Sequence, residues 1–124
     1  MNIGIIGTRK RDGWLDEMKT HSKVMEFIKS KSLEKEHITI ISGGAKFGGD
    51  RFAYTFARSM GLRMVTHFPD LSKPIPQCYF DRNIMVAIDS DVLFACVSLD
   101  RKGGTEHTIK KFKEWHPDGE LILV

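Results

Sequence analysis

Five short apolar runs, separated by four stretches of helical period, constrain this chain more than any other feature it has. The runs are IGII (3–6), HITIIS (37–42), LRMVTHF (62–68), DVLFACVS (91–98) and ELILV (120–124), most of them rich in β-branched or large apolar residues, and each reads as a strand. Between them the apolar positions repeat with helical spacing. The first stretch carries Trp14, Met18, Met25 and Ile28, the second Phe52, Ala53, Phe56, Ala57 and Met60, the third Phe80, Ile84 and Ile88, and the fourth Ile109 and Phe112. Gly61 stands where the second helix must stop, in the place of a left-handed cap.

Strand and helix alternate from end to end, which argues for a parallel sheet covered on both faces. Right-handed crossovers put the first two helices on one face and the last two on the other. The expectation is a single α/β domain over residues 1–124, a Rossmann-like doubly wound sheet of about five mainly parallel strands in the order 3-2-1-4-5. The fully apolar VLFAC suits a strand buried on both faces, and ELILV suits an edge. An edge strand with no following helix leaves apolar surface that a second copy would cover, so a homo-oligomer is expected.

In such a sheet, ligands bind beyond the carboxyl ends of the strands, where the chain reverses direction between strands one and four. Three loops converge there: GTRKRDG after strand one, SGGAKFGGD after strand two and SLDRKGGTEHT after strand four. The Pro-rich FPDLSKPIPQCYF (68–80) is the one long irregular connection, placed to fold over the crevice as a flap.

Gly43 and Gly48 have the spacing of a nucleoside-triphosphate loop, but Gly49 and Asp50 stand where its lysine and its metal-binding hydroxyl belong. No dinucleotide fingerprint is present at IGIIGTRK either. Two readings of the glycine loop remain. Its bare backbone amides approach an anion or a ribose, or its glycines permit a tight turn with Asp50 capping the helix. Gly103-Gly104-Thr105 repeats the pattern after strand four, with Arg101 and Lys102 beside it. Thr105 is placed to cap that helix or to donate to a phosphate. Glu106 is favourable against the helix dipole, and equally placed for ribose hydroxyls or acid-base chemistry. Arg9 follows Gly7-Thr8 at the crevice, and Arg82-Asn83 opens the third helix, where an arginine can fork onto a phosphate or pair with Asp81 or Asp50.

Composition narrows the partners. Hydrophobic content of 41% and charged content of 28% belong to a globular protein, and a net charge of +3 gives no electrostatic reason to expect nucleic acid. No run approaches the roughly 20 apolar residues of a membrane span, and NIGIIG follows Met1 without a signal peptide's pattern, so a cytoplasmic location is expected. Cys78 and Cys96 form no metal-binding cluster; Cys96 reads as a core thiol and Cys78 as incidental, and neither a metal nor a cofactor is expected.

Taken together, GTRKRD, SGGAKFGGDRFAYTFA, YFDRNIMVAIDSDVLFAC and GGTEHTIKKF resemble, in this order, the motifs of the SLOG superfamily, within it the small single-domain YspA/YpsA-related group. The resemblance implies a pocket for a nucleotide or an ADP-ribose-like ligand, serving a sensor or sequestering protein. The ligand-binding set it implies is Gly7, Thr8, Arg9, Ser42, Gly43, Gly44, Asp50, Arg51, Arg82, Asn83, Gly103, Gly104, Thr105 and Glu106. The related Lonely Guy phosphoribohydrolases imply an alternative, an N-glycosidase cleaving the base-ribose bond of a nucleoside monophosphate with Glu106 and Arg82 as catalytic residues. Arg101-Lys102 replaces the glycine pair that opens the enzymes' loop, which favours binding over cleavage. A non-catalytic interaction scaffold is the third reading.

Overall fold

The computed structural model describes all of residues 1–124. Strands β1 (Asn2–Gly7), β2 (Thr39–Ser42), β3 (Arg63–Thr66), β4 (Val92–Cys96) and β5 (Glu120–Leu123) alternate with helices α1 (Trp14–Ser30), α2 (Gly49–Met60), α3 (Gln77–Asp89) and α4 (Gly104–Trp115). The sheet has the expected order β3-β2-β1-β4-β5, and every neighbouring pair is parallel. Each β-α-β crossover therefore carries its helix across a face of the sheet, and two apolar cores result. One packs Val24 and Phe27 of α1 and Phe52 and Phe56 of α2 against Ile3, Ile5, Ile40 and Phe94. The other packs Val86 and Ala87 of α3 and Ile109 and Phe112 of α4 against Ile6, Ile41, Leu93 and Ala95. Side chains alternate between faces along β1 and β4, so β1 is apolar from Ile3 onward and β4 is apolar and buried at every position.

Two helices bury a stripe shifted from the one expected, although Met25 and Ile28 of α1 do pack against the core. Trp14 and Met18 of α1 are exposed, and the stripe that packs is Thr20, Val24 and Phe27. Thr20 survives burial because its hydroxyl donates to the carbonyl of Asp16 at 2.9 Å, leaving no polar atom unpaired. In α3 the inward positions are Cys78, Asn83, Val86 and Ala87, while Phe80 is exposed. Cys78 is thus a core residue and not incidental. Cys96 is buried as expected, and Gly61 ends α2 in the left-handed conformation at φ 65°. The second and third strands are shorter than their apolar runs, because Lys35–His37 forms a 3-10 turn and the chain leaves the sheet after Thr66. No helix is long and apolar enough to cross a membrane.

Candidate functional site

The carboxyl ends of β1 and β4 diverge into loops on opposite sides, and a cavity of about 540 Å³ opens between them. Gly7, Thr8 and Arg9 supply one side, Gly43, Asp50, Arg82 and Asn83 the floor and flank, and Gly103, Gly104 and Thr105 the far side. Ten of the fourteen residues expected at a ligand site therefore meet in one crevice. Ser42, Gly44, Arg51 and Glu106 do not line it.

The first turn of α4 borders this space. The opening amides of a helix have no partner within it, and they carry the positive end of the helix dipole. Gly103 is the N-cap and provides no side-chain bond, so the amides of Gly104 and Thr105 have no cap partner, and both residues line the crevice. Arg9 is exposed on the opposite side. Arg82 is more firmly placed: Nε donates to Asn83 Oδ1 at 2.9 Å, Nη1 donates to the carbonyl of Gly43, and the guanidinium lies 5.7 Å from the centre of the Tyr79 ring. Asn83 is in turn fixed by α4, its amide donating to the Gly104 carbonyl at 3.4 Å and meeting His107 Nδ1 at 3.3 Å. Burial, then the charges of Lys111 and Lys110, lower the His107 pKa, which keeps Nδ1 free to accept.

The glycine loop between β2 and α2 is held from inside. Asp50 Oδ1 accepts from the Gly43 amide at 3.3 Å and Oδ2 from the Ala45 amide at 3.0 Å, while Ser42 Oγ accepts from Gly44 at 3.2 Å. Asp12, in the loop after β1, accepts from the Gly48 amide at 2.6 Å. The amides expected to cradle an anion are thus engaged by side chains of the chain itself. Gly44 and Gly48 have the positive φ of a tight turn, 76° and 70°, and Asp50 caps no helix, since the N-cap of α2 is Gly48. Burial raises the Asp50 carboxyl above its ordinary value, against the pull of the Ala45 and Gly43 amides and the charges of Arg82 and Arg9.

Arg51 and Glu106 are committed elsewhere. Arg51 bonds Asp12 at 3.1 Å and Glu17 at 3.1 Å, tying α2 to α1 and to the first loop. Glu106 receives a two-pronged bond from Arg101, at 2.8 and 2.9 Å, and lies in a separate surface hollow with Lys110 and Lys113. Asp50 is the one carboxylate among the residues lining the crevice. Sequence reasoning missed the crevice's aromatic wall: Phe47 from the glycine loop, and Tyr79 and Phe80 from the start of α3. Phe80 packs on the His107 ring with centroids 4.5 Å apart. The sequence offered no signal for this, because Phe80 falls on the helical period of α3 and only the fold turns it toward the crevice.

No family model and no curated protein sequence matches the chain. Among solved structures it is similar to DNA processing protein A from Helicobacter pylori, described by its single-stranded-DNA binding mode. The TM-score is 0.65 at 20% identity, over 99% of this chain and 64% of that one. The chain thus spans a little under two thirds of that protein's length, and the likeness is one of fold.

Two expectations are corrected here. The exclusion of nucleic acid falls, because this fold occurs in a protein that binds single-stranded DNA, and a net charge of +3 averages over a surface that gathers Arg9, Lys10, Arg82 and Lys102 in one crevice. The SLOG-type hydrolase also falls. The solved structure that shares the fold is described as a DNA binder, and the carboxylate assigned to cleavage, Glu106, is forked by Arg101 outside the crevice.

Proposed function

We propose that the protein is a non-catalytic binder of single-stranded nucleic acid and that the crevice receives one nucleotide unit of the strand. The observation that carries this reading is the pairing, in one 540 Å³ cavity, of two guanidinium groups and a helix N-terminus with three aromatic rings. A single strand offers a phosphate and an unstacked base at every step, and a basic groove with stacking rings is what binds both. The phosphate sits between Arg9, Arg82 and the Gly104-Thr105 amides. The base stacks on Phe47, Tyr79 or Phe80. Asp50 is already engaged by two loop amides, so no free carboxylate stands ready for glycosidic cleavage. A cytoplasmic location, where the buried thiols Cys78 and Cys96 stay reduced, fits this reading.

The test is fluorescence anisotropy of labelled oligothymidylate across a salt series. Binding weakens as salt rises, and Arg9→Ala and Arg82→Ala each weaken it about tenfold and flatten the salt slope by about 0.7, the share of one phosphate on a single strand. Free thymidine monophosphate and ADP-ribose compete for the same crevice. An oligomer that fails to bind at low salt, or one bound with unchanged affinity by both arginine variants, overturns the reading.

A further inference from the structure

A second hollow, of about 260 Å³, lies on the other side of the glycine loop from the crevice, beyond the carboxyl ends of β2 and β3. Its lining includes Lys46, Arg51, Tyr54 and Phe68. Ala45 and Asp50 line both spaces, so one thin wall of backbone separates them. Along the crest of that wall, consecutive residues divide between the two sides: Phe47 lines the crevice and Lys46 the second hollow. Phe68 is 71% exposed and Tyr54 51%, although both are large enough to be costly in water. The edge of the Phe68 ring rests on Gly44, where a Cβ would come within 2.7 Å of it, so the ring is steadied while most of its surface stays open. Tyr54 is steadied by Arg58, whose Nη1 donates to its hydroxyl at 2.9 Å.

We infer that this hollow takes the nucleotide next to the one in the crevice, so that a single strand crosses the glycine loop with one base on each side. The inference rests on the proposed function above and specifies the path of its ligand. Charge complementarity and continuity argue for it. Lys46 offers positive charge for the next phosphate, two open rings offer a stacking surface, and the shared wall joins the two spaces at the same end of the sheet. The wall also explains why Asp50 binds the loop so thoroughly: a crest between two ligand units must hold its shape under load from both sides.

Thymidine monophosphate and oligothymidylates of two, four and eight nucleotides, titrated against the wild type, Phe68→Ala and Tyr54→Ala, test the inference. Both substitutions are at exposed rings, and urea midpoints close to wild type verify that the fold is kept. The dinucleotide binds at least tenfold more tightly than the monophosphate. Each variant lowers oligomer affinity by about tenfold, the order of one lost stacking contact, and leaves monophosphate affinity unchanged. Oligomers that bind and respond to Arg82→Ala but ignore both ring variants overturn the second subsite and leave the crevice reading standing. Ring variants that weaken monophosphate and oligomer alike overturn it too, because the rings then act through the crevice. If no probe binds, the proposed function fails and this inference with it.

Discussion

Asp50 holds the glycine loop in shape with both oxygens of one carboxylate, one on the Gly43 amide and one on that of Ala45. Asp50→Asn replaces an acceptor by a donor that faces one of those amides, and we expect a loss of about 1–3 kcal/mol in urea unfolding. The loss depends on pH in a definite sense. Burial raises the carboxyl of the folded protein above the ordinary 3.8, so the stability Asp50 lends is fully present below that value and falls as pH rises through the folded one. Asparagine does not titrate. The variant's deficit is therefore larger near pH 3.5 than near pH 7, and equal deficits at the two would contradict the burial account. Sequence alone marked Asp50 as important but not for this reason. A carboxylate beside glycines reads as a cap or a ligand group, and only the fold shows that the turn brings residues 43 and 45 back onto its oxygens.

Helix α2 lies between two glycines that are required for different reasons. A Cβ on Gly49 would lie 2.0 Å from the Gly7 nitrogen and 2.0 Å from the Ile6 carbonyl carbon, both backbone atoms of β1 that have no room to move. At Gly61 a Cβ would meet nothing within 4 Å, and only the left-handed φ of 65° opposes it. Gly49→Ala should cost about 3 kcal/mol or more, by prising the helix off the central strand, whereas Gly61→Ala should cost about 1–2 kcal/mol. Thermal or urea unfolding of the pair orders them, and a Gly61 variant weaker than the Gly49 variant would refute the distinction. The same helix shows where sequence is a good guide. The α2 stripe of Phe52, Ala53, Phe56 and Ala57 is wholly apolar and lies on the core as its period requires. The α1 and α3 stripes include Thr20 and Asn83, which are buried because their polar atoms find partners, and no count of apolar residues detects them. The sheet order was legible because handedness and alternation leave few arrangements. The aromatic wall was not, because Phe47 and Phe80 come together only once two loops have closed.

Across the whole molecule, the loops at the carboxyl end of the sheet are joined by ion pairs that acid should dissolve in stages. Asp12 is held below the ordinary carboxylate range by the Gly48 amide and by Arg51, and Asp100 is held down to about 2 by the Ser98 hydroxyl and Lys10. Their contributions are complete above 3.8 and are lost as pH falls from there, that of Asp100 toward about 2 and that of Asp12 through its own lowered value. His107 acts earlier. Its folded pKa lies below 6.5, so its contribution is complete above 6.5 and is lost as pH falls through the lowered value, when protonated Nδ1 no longer accepts from Asn83. Asp50 opposes the decline only above 3.8, where its contribution grows as pH falls, and leaves the second step unchanged. Melting temperature should therefore decline in two steps between neutrality and acid. His107→Gln removes the first step, because glutamine does not titrate, and keeps the second. Asp12→Asn with Asp100→Asn shrinks the second step and keeps the first, and about 1 M salt shrinks the second in the wild type by screening exposed pairs. A single decline that neither variant alters would mean that the acid limb arises elsewhere, in the general self-repulsion of a positively charged chain and not in the bonds that hold these loops together.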